Sequence, residues 1–145
     1  MPDQIAMHFA PVAPDIDSLI DRLEDFFARH GLSTALLQTF ALAFDEIVCN
    51  IAAYSYPDNG SEHGIDIRLW LTASEIRVEV VDDGIPFDPL QVADPDITAS
   101  LEEREIGGLG IFLVRKLMDS VAYERRDERN HLIFTKQLAT PAQAD

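Results

Sequence analysis

Leu42–Pro57 reads LAFDEIVCNIAAYSYP, an apolar helical pattern that carries Asp45, Glu46 and Asn50 among its hydrophobic residues. Extended backwards to Leu36, the same pattern places Leu36, Phe40, Phe44, Ile47 and Ile51 on one helical face. Glu46 and Asn50, four residues apart, fall along one edge of that face. Asn competes for backbone hydrogen bonds and is a mediocre helix former, and a buried amide or carboxylate is costly unless it is partnered. A core helix holding both invites a functional explanation.

Around this helix the chain divides into short elements. QIAMHFA alternates as an edge strand. Asp15 or Asp17 can cap a helix running to about His30, with Leu19, Ile20, Leu23, Phe26 and Phe27 at helical spacing and Gly31 as its stop. Ser33 can cap the helix that follows. GIDIRLWLT and EIRVEVVDD alternate strongly and form an antiparallel hairpin turning near Ala73 and Ser74. An irregular stretch from Gly84 to Glu105, rich in Pro and Asp, leads to IGGLGIFLVRKLMDSV, a helix entered through glycines. A second hairpin, turning near Glu128 to Asn130, closes the chain. The order β, α, α, β, β, loop, α, β, β predicts an α/β (α+β) two-layer sandwich. Its sheet is expected to be mixed and mostly antiparallel, with the helices on one face and the strand order left open.

Composition bounds the function. The 145 residues fit one domain spanning 1–145, with residues 139–145 read as a frayed tail. No unbroken run reaches the ~18 apolar residues of a membrane span, and the first residues lack the order of a signal peptide. The expectation is a cytoplasmic protein with no membrane partner. A formal charge of -15 argues against nucleic acid, whose affinity comes largely from Lys and Arg. The single cysteine, Cys49, excludes an internal disulfide and is read as a small core residue. His8, His30, His63 and His131 are dispersed and do not have the spacing of a helical zinc pair.

Three stretches carry chemistry: Glu46 with Asn50, VVDDGIPFDP at a strand end, and GGLG at Gly107–Gly110 opening a helix. Glycines at a helix start let a ligand approach exposed N–H groups, and the helix dipole favours phosphate. The Walker loop and the GxGxxG fingerprint are both absent. In order and spacing, E-x-x-x-N, D-x-G and G-x-G resemble the N, G1 and G2 boxes of the GHKL superfamily, the Bergerat-fold ATPases. Within it the chain is most similar to the short, single-domain anti-sigma-factor serine/threonine kinases, with a histidine-kinase-like ATP-binding domain.

That resemblance implies ATP and Mg²⁺ as ligands. It implies that Asn50 ligates Mg²⁺, that Glu46 is the general base, and that Asp82 accepts from the adenine amino group. Gly84 then passes close to the base, while Gly107, Gly108, Leu109 and Gly110 present N–H groups to the phosphates, with the helix proper starting at Ile111. Asp83 is read as a solvated neighbour, with a swapped register of the two acids as the alternative. The preceding loop becomes an ATP lid in which Arg104 either reaches the terminal phosphate or pairs with Glu102, Glu103 or Glu105; Arg115 and Lys116 fall on the outer face of the last helix. Two residues depart from the pattern: Pro86 stands where many members carry a second glycine, and Tyr54 where many of these kinases carry His. The implied function is phosphorylation of an anti-anti-sigma-type protein, with a sigma factor or other client held in the alternative state, and a homodimer is a family expectation. The alternative is an ATP-gated binding module without phosphoryl transfer. An interaction protein without nucleotide requires three ordered boxes to be coincidence.

Overall fold

The computed structural model describes residues 4–9, 15–54, 64–86, 88, 90 and 108–138. Eight elements follow in order: β1 (Gln4–Phe9), α1 (Ile16–Arg29), α2 (Thr34–Tyr54), β2 (Ile65–Leu71), β3 (Glu75–Asp82), α3 (Gly108–Leu117), β4 (Ser120–Arg126) and β5 (Arg129–Gln137). The strands form one five-stranded sheet in the order β1-β2-β3-β5-β4. All four pairings are antiparallel, so the parallel component expected of a mixed sheet does not occur among the described strands.

The elements start and stop where local chemistry dictates. The Asp15 carboxylate accepts from the Ser18 N–H at 3.0 Å, and the Ser33 hydroxyl oxygen accepts from the Leu36 N–H at 3.1 Å, so α1 and α2 each have a side-chain N-cap. After α1 the chain turns through Gly31 at φ 67°, a left-handed conformation that glycine adopts without a Cβ clash.

Alternation along the strands sets the packing. Ile65, Ile67 and Leu69 of β2, Ile76, Val78 and Val80 of β3, and Leu132 and Phe134 of β5 are all buried. Phe134 stacks on Phe40 at 6.3 Å and meets Phe44 edge-on at 5.8 Å, while Phe27 of α1 meets Phe40 at 5.8 Å. These rings join α1, α2 and the sheet, and Val114 of α3 and Met118 just after it complete the same core. The helices therefore lie on one face. Thr34–Ala52 is long and apolar enough, by length and composition, to cross a bilayer, which a search for unbroken apolar runs misses. In the fold Phe40, Ala43, Phe44, Ile47 and Val48 are buried in the core instead.

The β4–β5 turn falls at Asp127 and Glu128, with φ 54° and 62°, rather than near Glu128–Asn130. A two-residue turn with both central residues at positive φ matches strand twist, and it leaves Asn130 inside β5, paired with Arg125 and with Asp82. Asp tolerates the left-handed region better than Glu does. Glu128→Gly is expected to stabilise the fold by about 1 kcal/mol. Urea denaturation measures it; a destabilised variant would show that Glu128 makes a compensating contact.

Candidate functional site

On α2, Glu46 is half-buried and Asn50 is buried, with 9% of its surface exposed. Neither side chain makes a hydrogen bond or ion pair among the described residues. The Asn50 amide atoms are not sealed from solvent, so the residue is buried while its polar end stays open to a ligand. Cys49 corrects the sequence reading: it is exposed, because it lies on the same helical edge as exposed Leu42 and Asp45, away from the packed stripe. Its Sγ lies 3.7 Å from Asp45 Oδ1. Partial burial and the Asp45 and Glu46 carboxylates push the thiol up from its ordinary value, away from the reactive thiolate.

At the end of β3, Asp82 is buried. Its Oδ1 accepts from Asn130 Nδ2 at 2.9 Å and from the Gly84 N–H at 3.0 Å. Burial raises the Asp82 carboxyl above the ordinary carboxylate value; the Asn130 and Gly84 hydrogen bonds lower it, the neighbouring Asp83 raises it and Arg125 lowers it. Asp83, expected to be solvated, is half-buried, and its Oδ1 accepts from the Gly64 N–H at 3.2 Å, joining the β3 end to the start of β2. Gly84 is buried, and its carbonyl accepts from Arg125 Nη1 at 2.9 Å.

Asn130 and Arg125 were not foreseen. One signal pointed to Asn130: with the hairpin turn placed one residue earlier, Asn130, Leu132 and Phe134 alternate onto the buried face. Arg125 carries no sequence signal of its own.

α3 begins at Gly108 rather than Ile111, so Gly108, Leu109 and Gly110 form its first turn. The first four N–H groups of a helix have no intrahelical acceptor. Gly107, Arg104 and most of the proposed lid, residues 87, 89 and 91–105, fall outside the described residues, as do residues 139–145 and the side chain of Tyr54. Arg115 and Lys116 are exposed as expected, with the Lys116 ammonium 5.3 Å from the Phe112 ring centre. The fold thus joins Asp82 to Gly84 directly, sets Glu46 and Asn50 one turn apart, and packs α3 against α2. No described hydrogen bond links these three groups to one another.

Two histidines pair with carboxylates instead of forming a metal centre: His8 with Asp66 at 2.7 Å and His131 with Glu79 at 3.2 Å. Among the described residues no group of three or more His, Cys, Asp or Glu could hold a metal. The residues do fit Mg²⁺, a hard ion that binds through one or two protein oxygens plus phosphate and water; the unpartnered Asn50 amide is such a donor.

An antiparallel sheet covered on one face by helices, with a buried carboxylate at a strand end and a glycine-opened helix, defines the Bergerat class of ATP-binding sandwiches. Residues 11–136 match the histidine kinase-like ATPase domain family, and the chain belongs to it. It is 33% identical over 117 residues to the serine/threonine-protein kinase BtrW of Bordetella bronchiseptica, covering 81% of this chain and 82% of that protein. It is 28% identical over 144 residues to the serine-protein kinase RsbW of Listeria monocytogenes, covering 95% and 89%. A solved structure of the RsbU and RsbW domains of a Mycobacterium tuberculosis protein superposes with a TM-score of 0.65 at 13% identity, covering 95% of this chain and 32% of that one. The last likeness supports the fold alone.

Proposed function

We propose that the protein is a Mg-ATP-dependent serine/threonine protein kinase of a partner-switching circuit. It phosphorylates an anti-anti-sigma-type protein and holds a sigma factor or similar client in the alternative state. The observation that carries the reading is the pair on α2: a buried Asn50 whose solvent-reaching amide has no partner among the described residues, one turn from a half-buried Glu46 that has none either. Kinship with kinases named for serine and threonine supports the acceptor chemistry.

In this reading Glu46 accepts the proton of the Ser or Thr hydroxyl as its oxygen attacks the γ-phosphorus, the bond to the β–γ bridging oxygen breaks and ADP leaves. Asn50 holds Mg²⁺ through its amide oxygen, and the ion supplies neutralisation of phosphate charge. Asp82 accepts from the adenine amino group, and Gly84 lets the backbone lie against the base. Gly107, Gly108, Leu109 and Gly110 offer main-chain N–H groups to the phosphates, with the positive end of α3 behind them. Arg104 stabilises charge on the transferring group. Local N–H groups and the ion answer how a chain of net charge -15 holds a polyanion. Glu46 favours transfer over mere nucleotide-gated binding, which needs no base.

The test is a thermal-shift titration with ATP and Mg²⁺, followed by transfer of labelled phosphate to an anti-anti-sigma-type protein. ATP at one hundred times its dissociation constant stabilises by about 2.7 kcal/mol. Asn50→Ala is expected to lose most of the Mg²⁺-dependent part of that shift and to remain folded, since its amide has no partner to abandon. A wild type that is folded yet unmoved by millimolar ATP removes the kinase reading.

A further inference from the structure

The residues around Asp82 include a side chain to which the reading above gives no role. Arg125 of β4, Asn130 of β5 and Asp82 of β3 are direct partners across adjacent strands, so they form one row across the sheet. Asn130 is buried at the centre of that row. Its Nδ2 donates to Asp82 Oδ1 at 2.9 Å and to the Ile85 carbonyl at 2.8 Å, and its Oδ1 accepts from the Tyr123 hydroxyl and from Arg125 Nη1 at 3.2 Å.

The partners fix which way the amide points. Flipped, its oxygen would face a carboxylate and a carbonyl, and its NH₂ would face a guanidinium. Only one orientation makes all four bonds.

We propose that Asn130, braced by Tyr123 and Arg125, is the positioning residue that fixes the Asp82 carboxylate and the Gly84–Ile85 backbone in the arrangement that selects adenine. This rests on the reading of Asp82 as the adenine acceptor. Both described bonds to Asp82 use Oδ1, so Oδ2 is left as an acceptor of fixed direction. An adenine amino group can donate to it; the guanine carbonyl at the same ring position is a second acceptor and is repelled. The same amide and Arg125 hold the Ile85 and Gly84 carbonyls, so the β4–β5 hairpin sets the turn that precedes Pro86.

The residue type matters. Aspartate at this position would set a carboxylate against Asp82, and threonine has one hydrogen for two acceptors.

The charged groups around Asp82 are Asp83, which raises its carboxyl, and Arg125, which lowers it; His8, Asp66 and Arg129 line the same depression. Burial already raises the carboxyl, and the Asn130 bond lowers it. Adenine recognition requires the carboxylate, so ATP affinity falls as pH falls through the raised value. Without Asn130 that loss begins at higher pH.

The experiment compares Mg-ATP and Mg-GTP binding by calorimetry across neutral to mildly acidic pH for the wild type, Asn130→Ala, Asn130→Asp, Tyr123→Phe and Asp82→Ala. Asn130→Ala is expected to weaken ATP about 10-fold with GTP little changed, and to move the acid loss of ATP affinity to higher pH. Asn130→Asp shifts both further in the same direction. Tyr123→Phe, which keeps the amide and removes one brace, shifts both less and keeps the proposal testable if the Asn130 variants do not fold. An unchanged ATP/GTP ratio and pH profile in the folded variants, with ATP binding lost in Asp82→Ala, overturns the role of Asn130. ATP binding retained in Asp82→Ala overturns the adenine-site reading instead.

Discussion

Glu46→Gln is expected to lower phosphoryl transfer about 10²–10⁴-fold, the range a positioned general base contributes, while ATP still binds. The structure makes this a clean substitution. Glu46 accepts no hydrogen bond and forms no ion pair among the described residues, so the amide breaks nothing. Its volume matches, and Asn50, one turn on, keeps its own environment. Two readouts separate the possibilities: labelled phosphate on the acceptor protein, and the ATP-dependent rise in melting temperature. Transfer lost with the thermal shift intact assigns Glu46 to chemistry. Both retained would move the base elsewhere, and a wild type that binds ATP but labels no acceptor would favour the nucleotide-gated binding module.

The parts of the site that were legible in the sequence are those set by local spacing. Asp15, Ser33 and Gly31 mark helix ends because capping and positive φ are decided within a few residues. Glu46 and Asn50 share a helix edge by arithmetic, and Asp82 sits at a strand end because EIRVEVVDD alternates without interruption. What escaped depends on partners far along the chain. Asn130 reaches Asp82 only because β5, not β4, lies beside β3, and strand order is not a local property. The hairpin turn compounded this: moved by a residue, it hides the parity that puts Asn130 on the buried face, since side chains alternate with period two. Cys49 and Asp83 were misjudged for a related reason. Residue type suggested burial for a thiol and solvation for a carboxylate, whereas helix phase exposed the first and the Gly64 N–H, just before β2, engaged the second.

Asp82→Asn is expected to separate stability from function. The substitution is isosteric, and its Oδ1 can still accept from Asn130 and Gly84. The other oxygen becomes an NH₂ group, a donor facing the donor of adenine. Losing a charge-assisted hydrogen bond and leaving a donor unpaired together weaken ATP by about 100-fold or more. Stability moves the other way. The folded-state pKa of Asp82 lies above its unfolded value, so at neutral pH the buried carboxylate destabilises the fold; that penalty fades as pH falls through the raised value toward the unfolded one. The variant, which has no such group to ionise, is therefore more stable than the wild type at neutral pH, and its advantage shrinks in mild acid. Urea denaturation at both pH values, paired with ATP calorimetry, measures the two effects on the same protein. A variant that is less stable at neutral pH would mean that the attraction of Arg125 outweighs burial, and one that binds ATP normally would remove Asp82 from the base pocket. With both effects as expected, the wild-type chain retains at Asp82 a charge that its fold disfavours, and the hydrogen bonds from Asn130 and Gly84 keep that charge available to the ligand.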